Sequence, residues 1–418
     1  MNRRAYIAAG ASVCLAGCLS SLPDDSSEEN GTGNGNETEN GTADPTAETE
    51  RPPADGTDRP DAAGTADDFE DLESWSVVGG RLAADRNRSL LGSQSARLEV
   101  PAGRSSAGLT KTFSTPRDLT DVAPAVGVAA DALVVPRLRL VDADGDSIVY
   151  RRGIAPDLGL LRHDFGVASI DSGFDASAVR EVRLQVRATD GERLTVWFDD
   201  LHFTPRPETG KVLFQFDDGN VTDYTEALPI LEEYGYPATT FVNTDTVGAG
   251  GRLTLDQLRE LRDVGWHVGN HTADHASLPD RDAAGQEAAI RDGKRWLVDR
   301  GFETGAEYFA YPFGRYDATT VDLVDEHHSL GFGGGRPAHG YATTPGLLPR
   351  IGEPDVDEAR RAVELTAERR GITTFLYHRL EDESRETFET VVETVREYES
   401  RGDLEVILPR DLEERFLF

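Results

Sequence analysis

Two patterns of apolar and polar positions divide the chain. Over residues 67–206 the apolar side chains alternate with polar ones in short runs: "SARLEVPA", "AGLTKTFS", "PRLRLVDADGDSIVYRRG", "VREVRLQVRA" and "LTVWFDDLHF". A period of two, with turn-rich stretches between the runs, predicts an all-β sandwich. "LRLVDADGDSIVY" predicts a hairpin that turns in its Asp-Gly region. The "DADGD" within it is not an EF-hand loop, because no Glu stands twelfth from Asp142. Over residues 207–418 the pattern changes. Apolar runs ("KVLFQF", "ATTFVN", "WHVGN", "YFAYPF", "LGFGGG", "LLPRIG", "ITTFLYH", "LEVILP") alternate with helical stretches such as "TLDQLRELRDVG", "EAAIRDGKRWLVDRG", "DEARRAVELTAERRG" and "TFETVVETVREYESRG". Strand–helix alternation of this length implies a parallel α/β fold. An open doubly wound sheet carries a Gly-rich phosphate turn after its first strand. Asp217-Asp218-Gly219 stands there instead. The pattern fits a barrel better, with its active site at the C-terminal ends of the strands.

The first residues follow neither pattern. In "MNRRAYIAAGASVCLAGC", Arg3-Arg4 precede an apolar run too short to span a bilayer, which suits a signal peptide. The arginine pair fits twin-arginine export, and "LAGC" resembles a lipobox. On this reading residues 1–18 are a lipoprotein signal, and Cys18 is lipidated and anchors the chain to the outer face of the cell membrane. Cleavage before Cys18 removes Cys14, the one other cysteine, so no disulfide pair remains. Residues 19–66 hold almost no apolar side chains and read as a disordered acidic linker. Asn30, Asn36 and Asn40 each begin an Asn-x-Thr sequon, either glycan sites or chance in an Asn/Thr-rich tract. The formal net charge is −33, and Lys111, Lys211 and Lys294 are the only lysines. Such a surface resembles that of proteins adapted to high salt. It excludes nucleic acid as a partner, since phosphate backbones need basic patches.

Candidate chemistry gathers at the strand ends of 207–418. The first strand ends in Asp217-Asp218. "WHVGN" leads into "HTADH", with His271 and His275 four residues apart, a spacing that puts both imidazoles on one face of a helical turn. "AYPFG" places Phe313 at another strand end, and "FLYH" ends in His378. Two histidines and a carboxylate make a three-ligand metal site with a position open to water. His267 and the His327–His328 pair have no such motif around them and read as capping or solvated side chains.

"FQFDDG", "HTADH", "AYPFG" and "LYH" together resemble the motifs of the polysaccharide deacetylase family, the metal-dependent carbohydrate esterases with the NodB-homology domain. The resemblance implies an α/β distorted (β/α) barrel and a role for each matched residue. Asp217 would be the general base, and Asp218, His271 and His275 the ligands of a divalent metal, usually Zn2+. The backbone N–H of Phe313 would help hold the oxyanion, and His378 would be the general acid. Many members open the third motif on an arginine near the base. Ala310 stands there in this chain, and Arg350 of "LLPRIG" is either its substitute or a surface arginine. The family's fourth motif is not visible. The N-terminal region, through "DDFEDLESW", "LGSQSARLEV" and "VWFDDLHFTP", resembles jelly-roll carbohydrate-binding modules. That implies a structural Ca2+ on Asp68, Glu70 and Asp200, and a domain that binds sugar or acts as a spacer.

The expected whole is a multidomain exported lipoprotein. A jelly-roll-like sandwich precedes a barrel that removes acetyl groups, N-acetyl first, from an extracellular or cell-envelope polysaccharide. The alternatives are an O-acetyl esterase and a non-catalytic glycan-binding surface protein. The N-terminal reading is tested by Cys18→Ser. The variant is expected in the soluble fraction or unprocessed, and a variant processed and membrane-bound like wild type would refute the lipobox.

Overall fold

Alternation makes the N-terminal strands one-sided. In Val179–Arg187, Val182, Leu184 and Val186 are buried while the residues between them are not. The computed structural model describes residues 59–418 apart from 157, 190 and 335–339. Cys18, the signal peptide and most of the expected linker lie outside the described residues. Two six-stranded sheets, antiparallel throughout, pack their apolar faces together. Leu98, Val126, Val196 and Phe198 come from one sheet, and Leu109, Leu138, Val182 and Leu184 from the other. The expected hairpin is present, with Arg137–Asp142 paired to Ser147–Arg151. Val122–Ala130, buried along its whole length, carries no alternation and left no signal in the sequence. The sandwich begins earlier than expected. Gly64–Asp67 pairs with Leu194–Pro205, so three residues assigned to the linker are strand. Its sequence, GTAD, is polar, and main-chain pairing rather than an apolar face fixes it.

The second region is one eight-stranded sheet in which every pair is parallel. Gly210–Asp217 lies at its centre, between Thr239–Val242 and Ile372–Tyr377, and is buried at all eight positions. Burial on both faces explains the apolar run Val212–Phe214 and Phe216, broken only by Gln215. The sheet runs outward through His267–Asn270 and Tyr308–Ala310 to Leu330–Phe332, and the other way to Ile351–Gly352. A parallel bridge between Phe332 and Leu348 links the far strand to the segment entering Ile351–Gly352, so the sheet curls toward closure. The helices expected from the periodic stretches form, among them Leu255–Asp263, Ala283–Val298, Val356–Arg369 and Asp382–Glu399. Ala318–His327 was not expected, because Thr and Val dominate its first turn. A capping box between Asp317 and Thr320 starts it. Among the described residues no helix is long and apolar enough to cross a membrane.

The sandwich and the sheet meet over a buried junction. Leu365 of Val356–Arg369 packs against the sandwich core, and Leu158 of the sandwich region enters the cluster around Phe309 and Tyr311. Arg206 donates to the carbonyl of Arg369 at 2.6 Å. The Phe418 ring stands edge-on to His202 at 4.5 Å.

Phe388 anchors Asp382–Glu399 to the central strand. Its ring lies edge-on to Phe214, Phe216 and Tyr377 at 5.7, 5.6 and 4.9 Å. Phe388→Ala is expected to destabilise the protein by about 3–5 kcal/mol, the usual cost of a buried ring. Denaturant unfolding at high salt measures it, and a midpoint equal to wild type would refute this anchoring role.

Candidate metal centre and active site

The tip of the central strand turns sharply. Asp218 and Gly219 adopt left-handed φ values of 77° and 60°. Only glycine fits at 219, because a Cβ there would lie 2.8 Å from Cγ1 of Val242. The turn separates the two neighbouring carboxylates. Asp217 stays buried and Asp218 points toward the site mouth. Asn220 secures the turn by donating to the carbonyls of Asp217 and His378 at 3.2 and 3.1 Å. Arg252 donates to the Asp218 carbonyl at 2.8 Å.

The expected helical turn for His271 and His275 is absent. The segment is a loop, and Thr272 and His275 both have positive φ, 68° and 56°. Asn270 imposes this path. Its Oδ1 accepts from the Thr272 N–H at 2.9 Å, and its amide donates to Ile290 O at 2.8 Å. Gly293 makes room for that side chain, since a Cβ would lie 2.2 Å from Asn270 Oδ1. The Thr272 hydroxyl then accepts from the His275 N–H at 3.1 Å. Two left-handed residues thus bring the imidazoles together, with ring centroids 4.9 Å apart.

Asp218, His271 and His275 are the one group of metal-ligating side chains found among the described residues. Asp218 Oδ1 faces Nε2 of His275 at 3.2 Å and Nε2 of His271 at 3.7 Å. It is buried and has no hydrogen-bond partner. His271 Nδ1 lies 2.8 Å from the Ala310 carbonyl, so it carries the proton and leaves Nε2 free to ligate. Burial pushes the His271 pKa down and favours the neutral ring, despite the nearby Asp217. A carboxylate and two neutral imidazoles facing one point fit a divalent cation.

Asp217 has a different environment. Arg350 meets it with two hydrogen bonds, at 2.8 and 2.9 Å. Arg350 is therefore a buried partner of Asp217 rather than a surface arginine. Burial raises the Asp217 pKa, but the Arg350 charge and its hydrogen bonds outweigh it and hold the carboxyl below its usual value. A third carboxyl, Asp223, accepts from Thr240 at 2.7 Å. Burial, with Asp217 and Asp218 nearby, pushes it well above the usual range. His378 bonds Glu353 through Nδ1 at 3.0 Å, and that bond raises its pKa. The Phe313 ring lies 4.4 Å from His275, is 64% exposed, and sits on a residue with φ 58°.

Several expectations are corrected. His267 and His328 are buried, not solvated. His267 stacks on Tyr308 at 5.3 Å, while His328 joins Asn270 and the Ala306 carbonyl and is pushed down to about 3 by burial. The residues expected to hold Ca2+ are engaged by protein donors. Glu70 accepts from Ser93 and Gln94, Asp200 is paired with Arg162 and accepts from Thr65, and Asp68 accepts from the Glu70 N–H. Sequence reasoning missed Glu353, Asn220, Arg252 and Asn270. Of these, Asn270, directly before His271, and Asn220, two residues beyond Asp218, stood nearest to the predicted site residues.

Fold and site together place a three-ligand candidate metal centre at the end of the central strand of a parallel α/β sheet. Residues 204–330 match the model of the polysaccharide deacetylase family. Among curated proteins, YxkH of Bacillus subtilis (strain 168), itself provisionally assigned as a polysaccharide deacetylase, is 32% identical over 29% of this chain and 43% of its own length. Poly-beta-1,6-N-acetyl-D-glucosamine N-deacetylase of Staphylococcus aureus (strain MRSA252) is 32% identical over 27% of this chain and 43% of its own. The chain thus spans less than half the length of these relatives. Among solved structures, Streptococcus pyogenes deacetylase PplD in complex with acetate is 31% identical, covers 33% of this chain and 62% of its own, and has a TM-score of 0.31.

The two aspartates are separable by metal retention. Asp218→Asn replaces a charged ligand by a neutral amide and is expected to lose divalent metal on dialysis, whereas Asp217→Asn is expected to keep it. Metal analysis of the dialysed variants decides, and the reverse pattern would exchange the two assignments.

Proposed function

We propose that the protein is a divalent-metal-dependent deacetylase that hydrolyses acetyl groups, N-acetyl first, of an extracellular or cell-envelope polysaccharide. The observation that carries this reading is the unpartnered Asp218 Oδ1 facing two imidazoles, beside a second carboxylate kept ionised by Arg350. A cation held by Asp218, His271 and His275, Zn2+ in our reading, would supply Lewis acidity toward the acetyl carbonyl and the attacking water. The remaining roles belong to the chain's own groups. Asp217, ionised and oriented by two hydrogen bonds from Arg350, takes the proton from the water. The backbone N–H of Phe313 supports the oxyanion. His378, held protonated by Glu353, gives its proton to the leaving nitrogen. The exposed Phe313 ring offers a flat apolar face to a sugar.

The sequence features at the N-terminus support export and a lipid anchor through Cys18, which would place the enzyme on the outer face of the membrane, next to such a substrate. A structural Ca2+ on Asp68, Glu70 and Asp200, and sugar binding by the sandwich, belong to the proposal through the resemblance to carbohydrate-binding modules. Acetate release from N-acetylated and O-acetylated oligosaccharides, at high salt with added Zn2+, tests the reaction. Release from O-acetylated substrates alone would make the enzyme an esterase, and no release from either would favour a glycan-binding protein. Asp217→Asn is expected to lose a factor of about 10²–10⁴ in kcat. Glu353→Gln tests the acid. Glu353 raises the His378 pKa, and the protonated form is lost as pH rises through that value. The alkaline limb of the rate profile is therefore expected to move to lower pH in Glu353→Gln. An unmoved limb would remove His378 from the acid role.

A further inference from the structure

We propose that the sandwich is a positioning element of the active site, in which Asp164 and Arg152 fix residues 341–347 and so set the place of Arg350 against Asp217. These residues run along the junction, and the sandwich satisfies them one after another. The Tyr341 N–H donates to the Pro205 carbonyl at 3.3 Å. Asp164 accepts from the Thr343 N–H at 3.2 Å and from its hydroxyl at 3.0 Å. The Thr344 hydroxyl donates to the Arg162 carbonyl. Arg152 Nη2 donates to the Leu347 carbonyl at 3.1 Å.

Asp164 is 4% exposed and Arg152 2% exposed. A buried charge that loses its partners is strongly unfavourable, so neither residue releases the segment readily. The chain then straps onto the sheet, with the Leu348 N–H bonded to Gly331 O at 2.7 Å and the Gly333 N–H bonded to Leu348 O at 2.8 Å. Two residues later Arg350 donates through Nε to Gly333 O at 3.3 Å and through both terminal nitrogens to Asp217. No flexible spacer separates the sandwich contacts from the guanidinium. Leu158 adds apolar support, packing in one cluster with Leu347, Phe309 and Tyr311, the last of which precedes the turn that carries Phe313. Asp164 and Arg152 touch no reacting atom. They act through Arg350, and misplacing a positioning group by a fraction of its bond length weakens a proton transfer that depends on alignment.

The kinetic part of the test rests on the deacetylase reading, and hydrogen–deuterium exchange does not. The full chain is compared with Asp164→Ala, Asp164→Asn and Thr343→Val at high salt. Faster exchange is expected in peptides covering residues 341–352 of Asp164→Ala, with metal content unchanged. A fall in kcat of roughly 10- to 100-fold is expected with KM near wild type. Asp164→Asn, which keeps an acceptor, is expected to recover part of the loss. In an Arg350→Met background Asp164→Ala is expected to cost nothing further, because its effect passes through the residue already removed. Equal losses in both backgrounds, or unchanged exchange over 341–352, would overturn the proposal. If Asp164→Ala fails to fold, Thr343→Val, which deletes a single hydroxyl, must still speed exchange there, and its failure to do so would also overturn it. If the wild-type protein releases no acetate, the deacetylase reading falls and exchange alone decides the positioning role.

Discussion

Adjacent carboxylates at the end of a buried strand repel one another, and water is too scarce there to screen them. The architecture resolves this by giving each acid a different partner. Asp217 receives a guanidinium, bonded at both oxygens. Asp218 turns through a left-handed residue toward two imidazoles. Asp223, the third acid within reach, is left with Thr240, and burial beside the other two acids pushes its pKa well above the usual range. Three carboxyl groups thus occupy a small volume with three different sets of partners, while Nε2 of His271 lies 3.8 Å from the Asp217 carboxylate and 3.7 Å from that of Asp218.

Backbone strain concentrates in the same place. Of the non-glycine residues with positive φ, Asp218, Thr272, His275, Phe313 and Glu353 all surround the site. Each such residue costs about 1–3 kcal/mol, and Thr272, being β-branched, is among the least suited to it. What offsets the cost is local and polar: Asn270 for the histidine loop, and Asn220 with Arg252 for the aspartate turn. Most of these side chains make main-chain hydrogen bonds and present no reactive group to the site. Their job is to aim the few that do.

This division explains what could be read from the sequence. Strands buried on both faces and helices with a strong apolar stripe declare themselves through periodicity, so the parallel α/β region was legible almost element by element. Asp217, Asp218, His271 and His275 were legible as chemistry because their types and spacing are unusual together. Their local geometry was not. Four-residue spacing suggested a helical turn, whereas a loop bent by Asn270 produces the same convergence. His267 and His328 were misread because burial of a neutral ring leaves no mark on a sequence. Arg350 was ambiguous, since a lone arginine on an acidic chain is ordinary until its 133-residue separation from Asp217 is closed by the fold. Val122–Ala130, with neither alternation nor bulky residues, was invisible for a related reason: its burial is decided by its neighbours.

The tautomer of His271 is set by a carbonyl, that of Ala310, and not by a side chain. A main-chain acceptor is present whichever amino acid occupies the position, provided the strand keeps its path and the side chain fits a fully buried slot. Position 310 can therefore exchange residues over evolutionary time without disturbing the ligand beside it. The tautomer thus depends on the course of the strand and not on any side-chain acceptor at position 310.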